Sequence, residues 1–293
     1  MNGVLLIDKP VGLSSQQVLS KIKRILNVKK IGHAGTLDPL ATGVLVVLIN
    51  DATKLSDYLL ENEKAYLSEI TIGKTTDTLD SEGEVTRVKK VTQKFDVDSL
   101  LQTMLGEHEQ IPPMYSALKV NGKKLYELAR IGVNIKREAR KIEIKEIRRT
   151  SDVVYEADCL RFSFYVKASK GTYIRTLCAD IGEKIDYPAY MSSLRRVTSG
   201  HFSIDNCYTI DDIQNGKFEL ISMLDAISSI MEKVEVSGET LRRVLNGREI
   251  QAKYINSLNK RVALYNCDKL IAIYEKCDKE NDSLVYKAIR VWN

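Results

Sequence analysis

One carboxylate, Asp38, stands inside Gly32-His33-Ala34-Gly35-Thr36-Leu37-Asp38-Pro39-Leu40-Ala41-Thr42-Gly43. Glycine permits backbone that other residues avoid, and proline fixes its own φ while biasing the residue before it toward extended or turn conformations. The six apolar residues 44–49 that follow have the length of a strand buried on both faces. The run therefore places an aspartate on a shaped loop beside a rigid strand, a common setting for catalytic groups, although many Asp-Pro pairs are only turns. Other chemistries find less support. The three histidines, His33, His108 and His201, have no metal-ligand spacing. No Gly-x-Ser-x-Gly elbow is present. Gly73-Lys74-Thr75 lacks the earlier glycine of a phosphate loop, since Ser68 stands there. Any reaction here belongs to a carboxylate.

The elements that must hold such a loop are legible as patterns. Residues 4–7 form an apolar strand ended by Asp8-Lys9-Pro10 and Gly12. Ser14 and Gln17 make a capping box before Val18, Ile22, Ile25 and Leu26 at helical spacing. Alternation predicts strands over 64–72, 140–147 and 157–168. Ile174, Leu177, Cys178 and Ile181 resume the helical period, with Gly182 as terminator. A helix is predicted over 216–231, and strands over 261–265, 270–274 and 284–291. Without a regular β-α-β rhythm the class is α+β, with a domain over 1–230 and a small, mostly β module over 231–293.

The chain has 293 residues and a mild excess of 44 Lys+Arg over 39 Asp+Glu, giving a net charge of +5. That excess alone is weak support for a nucleic-acid partner. Its distribution says more, with clusters at Lys21, Lys23, Arg24, Lys29 and Lys30, at Arg137, Arg140, Lys141, Lys145, Arg148 and Arg149, and at Arg195-Arg196. Each alone reads as a solvated face; together they point to phosphate contacts. Five scattered cysteines without Cys-x-x-Cys favour a reducing cytoplasm. No apolar run nears the roughly 20 residues of a membrane span, and the N-terminus lacks a signal-peptide pattern.

The run 32–43 resembles the signature of the TruB family of pseudouridine synthases. Asp8-Lys9-Pro10-x-Gly12-x-x-Ser15, Glu63-Lys64-x-Tyr66 and Gly73-x-x-Thr76-Asp77-Thr78-x-Asp80-x-x-Gly83 resemble further family motifs. So do the segment 112–119, Gly171-Thr172-Tyr173-Ile174-Arg175-Thr176-Leu177 and Leu194-Arg195-Arg196. The resemblance spans about residues 3–200 and implies the pseudouridine synthase fold, a mixed, largely antiparallel central sheet flanked by helices and loops. The last 60 or so residues are more weakly similar to a PUA-type RNA-binding module.

What the resemblance implies is isomerisation of a uridine in RNA to its C-glycoside. Asp38 would be the nucleophile, attacking uracil C6 or ribose C1′, as carboxylates do in covalent glycosidases. Arg175 would pair with it bidentately and keep it ionised. Tyr66 would stack on the base and is a candidate for handling the C5 proton, although a phenol with pKa near 10 is a poor base. Tyr173 and Leu194 would pack around the extruded uridine, and His33 would take its place in the stack. Lys9 would support the site or meet phosphate, Arg148 and Arg149 would contact RNA, and the glycines would give the nucleotide room. No metal or organic cofactor is implied. The substrate expected is the uridine at position 55 in the TΨC loop of tRNA, acted on by a cytoplasmic monomer without an obligatory protein partner. Three other readings compete with it. They are a guide-dependent synthase acting on ribosomal RNA, a tRNA-folding chaperone, and a glycoside hydrolase using Asp38 with Asp8.

Overall fold

The computed structural model describes all residues except 62, 117, 121, 134, 279–283 and 293, and leaves undescribed the side chains of Lys119, Lys124 and Arg130. Ala117 of the segment 112–119 thus lies outside the described residues. The first fourteen strands are β1 (Gly3–Lys9), β2 (Ile31–His33), β3 (Thr42–Ile49), β4 (Lys64–Ile72), β5 (Lys74–Thr76), β6 (Val85–Val88), β7 (Gly106–Gln110), β8 (Lys119–Val120), β9 (Lys123–Lys124), β10 (Arg140–Arg149), β11 (Val154–Glu156), β12 (Cys159–Ala168), β13 (Ala189–Ser199) and β14 (Phe202–Ser203). Ten of them form one sheet along the path β1-β3-β13-β4-β12-β10-β7, with β2, β11 and β14 paired to its members.

Within this sheet every described pairing is antiparallel except one, the short parallel seam of Arg195 with Thr42 and Arg196 with Gly43. The seam joins β3 to β13 inside the sheet, one strand from its β1 edge, and its β3 side immediately follows the Asp38 loop in sequence. Register puts Lys9, Gly43, Arg196, Tyr66, Val166 and Ile147 in one row across six strands. Several of the residues singled out by sequence therefore meet because strand pairing aligns them, not because they are close along the chain.

Both faces of β1 and β3 are covered, which is why 44–49 reads as a continuous apolar run. One face, with Leu5, Ile7, Leu45, Val47 and Ile49, packs against Val18, Leu19 and Ile22 of the helix Ser15–Leu26. Its capping box forms as the sequence predicts. Each such buried aliphatic side chain stabilises by about 2 kcal/mol. The opposite face, with Val4, Leu6, Val44, Val46 and Leu48, joins a cluster that includes Ala263, Leu270, Ile273 and Trp292. The first three of these come from a second sheet, ordered β15 (Glu232–Glu235), β17 (Arg261–Asn266), β18 (Lys269–Asp278), β19 (Leu284–Val291) and β16 (Ile250–Gln251), and Trp292 directly follows β19. The Trp292 indole N–H donates to the carbonyl of Asp51 at 3.2 Å, tying the segment after β19 to the turn that follows β3. Among the described residues no helix is long and apolar enough to cross a membrane.

Two sequence expectations fail. The helix over 216–231 is reduced to Met223–Ala226. Ahead of it, Ile221 exchanges two 2.9 Å backbone hydrogen bonds with Val4 and covers the β1 edge. A row of apolar residues satisfied either period, and the edge strand's need for partners decided it. Gly182 does not terminate its helix, Ile174–Glu183, but lies inside it. A Cβ there would come within 2.6 Å of both Ala189 Cβ and the Tyr187 carbonyl, so this glycine permits close packing on β13.

Candidate active site

The loop between β2 and β3 is held along most of its backbone. The Ala34 N–H donates to the Val46 carbonyl at 2.9 Å. The Ser15 hydroxyl donates to the Leu37 carbonyl and accepts the Leu37 N–H, each at 2.9 Å. The Pro39 carbonyl accepts from the Gly12 N–H at 2.9 Å and from the Lys9 ammonium at 3.2 Å. The Ala41 N–H closes a turn on the Asp38 carbonyl at 3.1 Å. The Asp-Pro turn therefore exists, but the backbone makes it and the carboxylate is left to other partners.

That partner is Arg175, whose Nη2 lies 3.0 Å from Asp38 Oδ2. The contact is not bidentate, because the guanidinium is shared. Nη2 also donates to the Tyr115 carbonyl at 2.6 Å, while Nη1 donates to the Thr78 carbonyl at 3.2 Å and to Asp80 Oδ2 at 3.3 Å. Arg175 and Asp80 are almost wholly buried, whereas 39% of the Asp38 side chain is exposed. Asp38 is thus the accessible end of a buried Asp–Arg–Asp chain. Burial pushes its carboxyl above the ordinary 3.8; Arg175 opposes the rise, Asp80 adds to it and Lys9 opposes it. Sequence supplied Asp80 as a motif member and gave no sign that it shares the arginine.

On the other side stands Arg196, 1% exposed. Its Nε donates to the Val44 carbonyl at 2.7 Å, Nη2 to Gly35 at 3.0 Å and Nη1 to Thr36 at 3.4 Å. The guanidinium also lies against the Tyr66 hydroxyl. A residue expected to meet phosphate is therefore a structural cation of the site. Its neighbour Arg195 is likewise occupied, gripping Asp8 through two bonds of 3.0 and 2.7 Å. Asp8 is thus drawn into an ion pair of its own, which weakens the hydrolase reading that needed it beside Asp38.

Lys9 has no exposed surface and donates to the carbonyls of Pro10, Leu13 and Pro39, so it braces the loop and does not meet phosphate. Burial lowers its pKa to about 8 despite the opposing pull of Asp38. Tyr66 is buried beside Arg196 and within electrostatic reach of Asp38. Burial raises its pKa, so the phenol stays protonated at neutral pH and fits stacking better than proton abstraction. Tyr173, half-buried at the start of the helix bearing Arg175, is also within electrostatic reach of Asp38. Leu194 is buried on β13, its carbonyl accepting from the Thr42 hydroxyl at 3.4 Å. His33 ends β2 instead of riding the loop. Its Nδ1 is buried without a hydrogen-bond partner among the described residues, and burial and Arg196 lower its pKa, leaving a neutral ring.

Two further expectations change. A Cβ on Gly43 would lie 2.2 Å from the Arg196 carbonyl, so this glycine serves the parallel seam and leaves no room for a nucleotide. Arg149 forms two bonds to Asp98 at 3.0 and 2.9 Å, and Arg148 pairs with Glu146 and lies 4.8 Å from the Tyr165 ring centroid. Both have protein partners. The cluster from Lys21 to Lys30 remains on the exposed side of its segment.

Residues 23–174 match the family model of the TruB family pseudouridylate synthase N-terminal domain. Residues 175–249 match that of the tRNA pseudouridylate synthase B C-terminal domain. The tRNA pseudouridine synthase B of Halalkalibacterium halodurans is 42% identical over 285 residues, covering 94% of this chain and 93% of its own. That of Bacillus subtilis is 49% identical over 217 residues, 73% of this chain and 70% of its own. The Staphylococcus haemolyticus protein of the same name is 40% identical, covering 98% and 99%. Among solved structures, a chain of a Cbf5-Nop10-Gar1 complex superposes with a TM-score of 0.74 at 25% identity, over 99% of this chain and 84% of that one.

Proposed function

Because the chain belongs to the TruB family of pseudouridine synthases, we propose that it converts uridine in tRNA to pseudouridine at position 55 of the TΨC loop, with Asp38 as nucleophile. The observation that carries this reading is the Asp38–Arg175 pair, a half-exposed carboxylate held at 3.0 Å by a buried guanidinium on a loop fixed from both sides. The reaction breaks the bond from N1 to C1′ and forms one from C5 to C1′, while the C5 proton is lost and N1 gains one. Nothing is added overall, so the residues needed are a carboxylate that can bond to one fragment and leave again, and walls that retain the other. Asp38 supplies the first, at C6 or C1′. Tyr66, Tyr173 and Leu194 supply the walls, and His33 offers a flat neutral ring to replace the extruded base.

We further assign residues 1–230 to catalysis and 231–293 to a PUA-like RNA-binding module, in a cytoplasmic protein acting without an obligatory partner and as a monomer. The test is to incubate the purified chain alone with an unmodified tRNA transcript and map the product. Pseudouridine at the single TΨC position is expected. Complete dependence on added proteins or guide RNA would instead establish the guide-dependent reading.

A further inference from the structure

The helix carrying Arg175 begins at Tyr173 with no side-chain cap. An uncapped first turn frays readily, because its leading N–H groups lack partners. Gln110, the buried last residue of β7, supplies one partner at this end, to Tyr173 itself. Its Oε1 accepts the Tyr173 N–H at 2.8 Å and its Nε2 donates to the Tyr173 carbonyl at 3.1 Å. That same carbonyl accepts the Leu177 N–H at 3.0 Å, the bond that opens the helical ladder. The amide thus bonds both backbone groups of one residue, as a neighbouring antiparallel strand would. Gln110 itself is anchored in the sheet, facing Arg140 across the β7–β10 ladder. Tyr173 lines the site, and Arg175 follows two residues later with its guanidinium against Asp38.

We propose that Gln110 is a positioning residue for the isomerisation, fixing through the Tyr173 peptide the placement of Arg175 against Asp38. The inference rests on the reading of Asp38 as nucleophile. A displacement of order 1 Å at a reacting centre can cost about a hundredfold in rate. The sheet-to-helix link therefore matters more to turnover than to the fold, which the apolar face of the same helix secures through Leu177, Cys178 and Ile181.

Gln110→Met keeps the length of the side chain and deletes both bonds to Tyr173, together with the amide's hydrogen bond to Asp180. Its single-turnover rate on tRNA transcript should fall about tenfold or more, with tRNA affinity within about twofold of the parent. Its acid limb should also move to higher pH, since Arg175 then opposes the rise in the Asp38 pKa less well. Arg175, Asp80 and Lys9 face Asp38; Asp180, with His108, Glu183 and Lys184 around it, faces Gln110 and titrates near 6. Asp180→Asn removes that titration and should leave the acid limb in place. An unchanged rate and acid limb in Gln110→Met, or an acid limb that Asp180→Asn alone shifts, would overturn the proposal. Activity surviving in Asp38→Asn would instead overturn the reading beneath it, so the two failures are distinguishable.

Discussion

Two arginines with little exposed surface flank the Asp38 loop, and their charges are met in opposite ways. Arg175 faces two carboxylates, Asp38 and Asp80. Arg196 donates to the backbone carbonyls of Gly35, Thr36 and Val44 and hydrogen-bonds the neutral Tyr66 phenol. A guanidinium among carboxylates sets the charge and direction of a reacting group. One among carbonyls sets the path of a backbone. The cleft has thus divided two tasks, orienting the carboxylate and fixing its loop, between a helix residue and a strand residue.

The division fails if the two arginines respond alike to substitution. Arg175→Met should lower the single-turnover rate most, by about 10²–10³, the usual cost of removing one preorganised electrostatic group from a reacting centre. It also leaves Asp80 buried without its cation, so stability should drop as well. Adding Asp80→Asn should restore the melting temperature but not the rate. The pH profile gives a second reading of the same pair. Asp38 must be ionised to attack, and its pKa lies above 3.8, so the rate falls as pH drops through that raised value. Without Arg175 the limb moves to still higher pH.

Arg196→Met should reverse the ranking. Three carbonyls lose their donors, for about 2–5 kcal/mol, and the melting temperature should fall by about 5–10 °C. The rate per folded molecule should fall less than in Arg175→Met. If it falls further instead, Arg196 acts on the reaction and not only on the loop.

The last contrast, which contains the smallest effect, separates the glycines in the strands on either side of the loop. Gly43→Ala forces a Cβ against the Arg196 carbonyl at a φ of +97° and should cost about 3 kcal/mol or more. Gly32→Ala, whose Cβ would meet only the Thr53 methyl at 3.5 Å, should change stability by less than about 0.5 kcal/mol. Equal costs at the two positions would mean that the parallel seam does not constrain the loop as described.

The arginines also mark the limit of what sequence could reveal. Arg175 was identifiable because its motif accompanies the Asp38 run, and the strands over 64–72 and 140–147 because alternation maps directly onto a half-buried sheet. Arg196 was misread as a phosphate contact, since an arginine pair in sequence looks the same whether it faces water or a seam between strands. Only the register that sets Arg196 opposite both Gly43 and Tyr66 distinguishes these. Lys9 was half-read for the same reason. Asp80 was quoted in a motif, but its partner lies 95 residues away, and no local pattern records that. Gln110 had no signal, being one amide at the end of an edge strand. The helix over 216–231 failed because apolar spacing there suited an edge-covering bridge equally well.

The central claim is that the Asp38 carboxylate does the chemistry and the rest of the cleft places it. Asp38→Asn keeps the side chain's shape and an acceptor for Arg175 while removing the nucleophilic charge. Single-turnover assays with saturating enzyme and tRNA transcript, run beside a binding measurement, test it most directly. The account predicts no pseudouridine above background with tRNA affinity retained within a few-fold; formation of pseudouridine by the bound variant at a rate near that of the parent would contradict it.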